Sequence, residues 1–134
     1  MAFQYSTAAR NASLDAIETA IGTAPTLTIR TGAVPANCAA ARSGTVLATI
    51  VLPSDWMAAA SGGAKAIAAG PWQDALADAT GVAGHFSIDQ GGTCHLQGTI
   101  TMPGGGGDMI LINTSLAVNQ PFEVTAFTIT AGGA

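Results

Sequence analysis

The chain has 134 residues, a formal net charge of -4 and only 9% charged side chains, which is room for one domain and not for two with separate cores. Alanine occurs 28 times, as often as Leu, Ile, Val and Phe together, so the supply of core-building side chains is thin. The four basic residues, Arg10, Arg30, Arg42 and Lys65, are scattered, and without a basic patch neither nucleic acid nor an anionic membrane is expected as a partner.

Helical periodicity comes first. Residues 7–21 place Leu14, Ile17 and Ile21 on one face, with Arg10, Asp15 and Glu18 free to face water. Ser6 or Thr7 can cap the start, Gly22 can end the helix, and Pro25 blocks its resumption. So short a helix needs a partner surface. It is expected either to pack at the edge of the domain or to reach out as an arm to a neighbouring subunit.

The period then changes to two. Residues 26–30 (TLTIR) alternate as a half-buried strand, and residues 45–53 (TVLATIVLP), rich in β-branched side chains and closed by Pro53, predict another. Between them, TGAVPANCAAARSG reads as a loop with one helical turn around residues 38–41. Residues 54–83 are ambiguous: alanine favours helix, but Gly62, Gly63, Gly70, Pro71 and Gly81 cut the stretch into pieces too short for one. Trp56 and Trp72 flank its alanines and are expected to anchor it to the body.

The last third is β. Residues 84–89 lead through Gly91-Gly92 into residues 93–102, where Cys94, Leu96, Gly98, Ile100 and Met102 share one face. The connection PGGGGD (103–108) precedes a strand at 109–113, then a loop, then a strand at 122–130 with apolar residues on both faces. Six or seven strands in one chain of this length predict a mainly β fold, an antiparallel β-sandwich (jelly-roll-like or Ig-like) with a short N-terminal α-helix: one domain over 1–134, helix about 7–21 and β body about 26–130.

The residues that could carry chemistry do not converge. His85 and His95 could become cross-strand neighbours, but Cys94 and His95 are adjacent on a strand and point to opposite faces, which disfavours a shared metal or a Cys-His nucleophile. Cys38 and Cys94 read first as two small buried thiols in a chain made in the cytoplasm, with a long-range disulfide as the open alternative. Asp74, Asp78 and Asp89 would make at most a weak calcium site and read as solvated carboxylates. PGGGGD lacks the Lys-Ser/Thr of a phosphate loop. No catalytic, cofactor or metal residue is assigned, and no enzyme activity is expected.

Nearly all of the chain nonetheless resembles a family of small, mostly uncharacterised structural proteins of tailed bacteriophages and prophages. The resemblance rests on RNASLDAIETAIG, on TLTIRTGAVPANCAAARSGTVLATIVLPSDWM, on PWQDALADATGVAGHFSID and on NTSLAVNQPFEVTAFTITAG. It implies an extended rather than helical 64–83 stretch and a virion location after synthesis in the host bacterial cytoplasm. The start, MAFQYSTAARNASLDAIETAIG, lacks the basic leader and apolar run of a signal peptide, and no ~20-residue apolar span occurs.

The charged fraction lies far below the roughly 25% of ordinary soluble domains. A surface of Ala, Gly, Ser, Thr, Asn and Gln repels its neighbours weakly and suits a packed subunit. The expectation is therefore a non-enzymatic virion structural protein that meets copies of itself and other virion proteins. Capsid decoration or cement is the first reading, with a neck or tail subunit as the alternative. A carbohydrate- or receptor-binding module is the rival from another class, using Trp56, Trp72 and Tyr5.

Overall fold

A computed structural model describes residues 3–68 and 72–133. The helix α1 spans Thr7–Ile21, and its start is capped by Ser6, whose hydroxyl accepts from the Ala9 N–H. Nine strands follow: β1 (Thr26–Thr31), β2 (Val46–Val51), β3 (Ala64–Ala66), β4 (Gln73–Asp74), β5 (Gly81–Gln90), β6 (Thr93–Thr101), β7 (Met109–Leu111), β8 (Ser115–Leu116) and β9 (Phe122–Thr130). They form one sheet in the order β2-β1-β5-β6-β7-β9-β3, with β4 on β9 and β8 on β5. The fold is mainly β with one short N-terminal helix, as the periodicities predict.

The sheet curls on itself, and its inner face is the core. Leu27, Ile29, Leu47, Phe86 and Ile88 from the first half meet Met109, Leu111, Val124 and Phe127 from the second. Phe86 and Phe127 touch edge to face with centroids 5.3 Å apart, and Trp72 stacks obliquely on Phe127 at 5.6 Å. Trp56 lies 6.0 Å from Trp72. Both tryptophans are buried and fasten the alanine-rich stretch to the body, which compensates for the shortage of large aliphatic residues.

That stretch, left open by its sequence, is extended where described. Residues 57–67 form a narrow hairpin that ends in β3 on the edge of β9, and β4 lies further along the same edge. Gly70 and Pro71, two of the expected breakers, lie outside the described residues. The region 38–41 is a turn rather than helical: the Asn37 side chain accepts from the N–H groups of Ala39 and Ala40, an Asx turn that competes with helix. Residues 115–116, expected as loop, pair with β5.

The sheet is not wholly antiparallel, because β6 and β7 run parallel. The glycine loop between them is drawn back along β6 by its own polar partners. Asp108 accepts from the Thr99 N–H and hydroxyl, and the Gly107 N–H donates to the Thr101 hydroxyl. Bulges account for two further departures. In β9 the register passes from Ala126 to Val124 and leaves Thr125 over, so Val124 and Phe127, expected on opposite faces, are both buried. In β6 the register passes from Leu96 to Cys94 and leaves His95 over. Cys94 therefore sits opposite Asp89, on the face of Gln97 and not on that of Leu96.

Candidate functional site

Two polar regions are buried at the margins of this body. The first joins α1 to the hairpin. Asp15 and Glu18, expected to face water, also receive Lys65 from β3, Asp15 while still half exposed: Nζ lies 2.6 Å from Asp15 Oδ1 and 2.8 Å from Glu18 Oε2, and also donates to the Ala58 carbonyl. Lys65 is only 2% exposed. The same helix face satisfies the open backbone edge of the hairpin. Glu18 accepts from the Met57 N–H, Asp15 from Ala60 and Asn11 from Gly63, while the Trp56 indole donates to the Gly22 carbonyl at the end of the helix.

Charge follows this geometry. Asp15 is held below its ordinary 3.8 by the Lys65 hydrogen bond first and the Ala60 N–H second. Burial is the largest single influence on Lys65 and lowers its affinity for a proton, but the hydrogen bonds and charges of Asp15 and Glu18 together raise it above 10.5. The helix is thus docked on its own chain, the first of the two placements its sequence allows. Ile17, placed in the apolar stripe by its spacing, is partly exposed.

The second region is the outer face of β1, β5 and β6. Because Arg30 pairs with His85, Thr28 with Ser87 and Thr26 with Asp89, these side chains form one polar row behind the apolar row of Phe86 and Ile88. His85 and Ser87 are fully buried nonetheless. The cover is the loop 32–44. The Gly32 carbonyl lies 3.1 Å from His85 Nδ1, Gln97 donates to the Pro35 carbonyl, Arg42 donates to Gln97, and Cys38 is joined to Cys94 with Cα atoms 5.3 Å apart.

The two cysteines are therefore a disulfide and not separate buried thiols. The bulge at His95 hid this in the sequence, since simple alternation turns Cys94 toward the core. Gly84 lets the cover close: a Cβ there would collide with the Gly32 carbonyl. The covered face is poorly satisfied. Arg30 Nη1, His85 Nε2, Ser87 Oγ and Asp89 Oδ1 are all buried without a hydrogen-bond partner.

Ser87, His85 and Asp89 are the residue types of a nucleophile-base-orienter set, but no hydrogen bond links them. His85 instead uses its Nδ1 on the Gly32 carbonyl, so the contact such a set requires is not made. His95 is exposed and pairs with neither His85 nor Cys94 in a ligand sphere, and the described residues contain no group of three metal-binding side chains. Asp74 accepts from the Leu76 N–H, away from Asp89. Trp56 and Trp72 are buried and offer no face to a sugar; Tyr5 is exposed and meets Phe3 edge to face at 5.4 Å.

The outer surface has a simple pattern. Among the described residues Lys65 is buried, the three arginines are half-buried, and the exposed charges are Asp55, Asp78, Asp108 and Glu123. Residues 75–82 and 112–120 interlock at one end of the sheet. Ala77 and Gln120 share a hydrogen bond, as do Asn119 and Ala77, Val118 and Thr80, and Ala83 and Thr114. These two segments carry the exposed side chains Leu76, Val82, Ile112 and Val118. Beside them opens a groove of about 650 Å³ lined by Ile112, Leu116, Pro121 and Phe122, with Asp74 and Glu123 among its polar groups. No helix among the described residues is long and apolar enough to cross a membrane. No family model, curated protein or solved structure matches the chain.

Proposed function

We propose that the chain is a non-enzymatic structural subunit of a tailed-phage virion, most simply a capsid decoration or cement protein that binds copies of itself and a major capsid protein. The observation that carries this reading is the apolar end of the molecule. Leu76, Val82, Ile112 and Val118 are exposed on two interlocked segments, and Ile112 also lines the neighbouring groove with Leu116, Pro121 and Phe122. Exposed apolar side chains gathered at one end of a sheet support an interaction site there. Since the exposed charges among the described residues are all carboxylates, contacts between copies would rest on apolar and neutral polar groups. A heterologous partner would instead present basic side chains to the rim of the groove.

The sandwich description belongs to the same proposal. The face-to-face packing of the two sheet halves through Phe86 and Phe127 supports a flattened sandwich; the parallel β6–β7 pair departs from a purely antiparallel jelly roll. A neck or tail subunit is the second reading. It is favoured by the exposed loop 102–106, which could reach between stacked rings.

Light scattering coupled to gel filtration, across a dilution series, tests assembly, and sedimentation with purified phage capsids or tails tests the partner. The expected results are a defined oligomer or saturable capsid binding, either one lost in the Ile112→Asp/Val118→Asp variant. A monomer at every concentration that sediments with neither capsids nor tails sinks the proposal.

A further inference from the structure

The loop 32–44 covers a face that gains little from being covered. None of its residues is fully buried, and Val34, Pro35 and Ala40 are its only half-buried apolar side chains besides Cys38, so apolar burial holds it only modestly. Beneath it lie four polar atoms with no partner, on Arg30, His85, Ser87 and Asp89, and burying such groups opposes closure. Three side-chain hydrogen bonds to the body remain, at His85, Gln97 and Arg42, together with the covalent link from Cys38 to Cys94. The stem is fixed independently. The Thr31 N–H donates to the Thr45 carbonyl, and the Thr45 N–H to the Thr31 hydroxyl. A loop pinned at its stem, held along its length by three hydrogen bonds and tied at its tip has one covalent bond in control.

We propose that the Cys38–Cys94 disulfide is a redox-operated latch that holds the loop 32–44 closed over the strip formed by Arg30, His85, Ser87 and Asp89. Two equivalents of a small thiol open it by exchange: the S–S bond breaks, Cys38 and Cys94 each gain a proton as thiols, and the two external thiols are oxidised to one disulfide. A low-molecular-weight disulfide closes it by the reverse exchange. Both cysteines are half-buried rather than enclosed, so a small reagent reaches them. Opening swings the loop about Thr31 and Thr45, returns the orphaned groups to water and leaves the inner core intact. The latch stands on this geometry alone. Its use rests on the virion reading: a subunit made in a reducing bacterial cytoplasm would assemble with the loop free and close it after release into oxidising surroundings.

The chain carries its own probe, because it has two histidines, His95 exposed and His85 fully buried. Diethyl pyrocarbonate modifies accessible imidazoles, and cleavage before Asp89 separates the two sites for mass measurement. The oxidised protein should carry the adduct on His95 alone. After phosphine reduction, with both free thiols counted, His85 should react about tenfold faster or more, as local opening demands, while Trp56 and Trp72 keep the blue-shifted emission of buried indoles. The Cys38→Ser/Cys94→Ser variant should match the reduced protein. An unreactive His85 in protein with two free thiols overturns the latch. So does a red shift of the tryptophans on reduction, which would make the bond a support of the whole fold. Neither result bears on oligomer formation or capsid binding, which test the virion reading separately.

Discussion

The α1–hairpin seam and the loop 32–44 cover both bury charged and polar side chains at the margin of the sheet, yet they are built on opposite principles. In the seam, Lys65, Asp15, Glu18 and Asn11 meet one another or a backbone group, and only Arg10 Nε beside Gly63 goes without a partner among the described residues. In the cover, four polar atoms go unmet, and a covalent bond adds to three hydrogen bonds in holding it. A satisfied network fixes a position, because removing any member strands the others. An unsatisfied one leaves a position that persists only while something else maintains it. The seam is thus a permanent joint and the cover a releasable one.

The largest expected effect separates the two directly. Replacing both cysteines by serine should lower global stability by about 4 kcal/mol in denaturant titration, from the loop closure of a cross-link spanning 56 residues. The loss arises in the unfolded chain, so amide exchange in α1 under native conditions should keep its order of protection relative to β5. Faster exchange in α1 than elsewhere would show that the joint and the cover are coupled.

Breaking the joint should come next. Lys65→Met keeps most of the volume but leaves Asp15 and Glu18 without their cation. The side chains of these acids are 49% and 20% exposed, so the cost should be about 2 kcal/mol, below that of a fully buried pair. It should appear as loss of exchange protection in α1 and at Met57 and Ala60. The disulfide and the burial of His85 should be unchanged.

The pH dependence of the joint follows from the two directions of shift. Asp15 is depressed, so its stabilisation is complete above 3.8 and lost as pH falls through its folded value. Lys65 is raised, so its stabilisation is complete below 10.5 and lost as pH rises through its folded value. Helix protection should therefore fall at both extremes in the natural chain. Lys65→Met should abolish the alkaline limb, and persistence of that limb would assign it to another group.

The smallest effect is the sharpest on the cover. Ser87→Ala removes a buried hydroxyl with no partner, so stability should stay within about 0.5 kcal/mol of the natural chain or rise. A loss above about 1.5 kcal/mol, the scale of a satisfied hydrogen bond, would mean that Ser87 has a role in holding the loop.

Much of the fold was legible from local pattern. The helix bounds, the Ser6 cap, the five longest strands together with β7, and the Gly91-Gly92 turn follow from periodicity and turn chemistry, because each depends on near neighbours. Both glycines of that turn take positive φ, at 59° and 82°, as a two-residue hairpin of type I′ requires. The tryptophan anchors were legible too, since a chain so poor in large side chains has to bury the ones it has. The candidate sites were not. A bulge at His95 reversed the face of Cys94 and one at Thr125 brought Val124 and Phe127 together, and a bulge is set by pairing with a distant strand rather than by the residues that flank it. Lys65 and Asp15 are 50 positions apart, and nothing in the Ala-Lys-Ala context of Lys65 signals burial. Composition and periodicity by themselves determined that this chain would be a mainly β body with a capped helix and a weakly charged surface. Only the tertiary structure decided which polar groups would be enclosed, which would find partners, and that one loop would be held shut by a disulfide, because each of these depends on contacts between residues far apart in the chain.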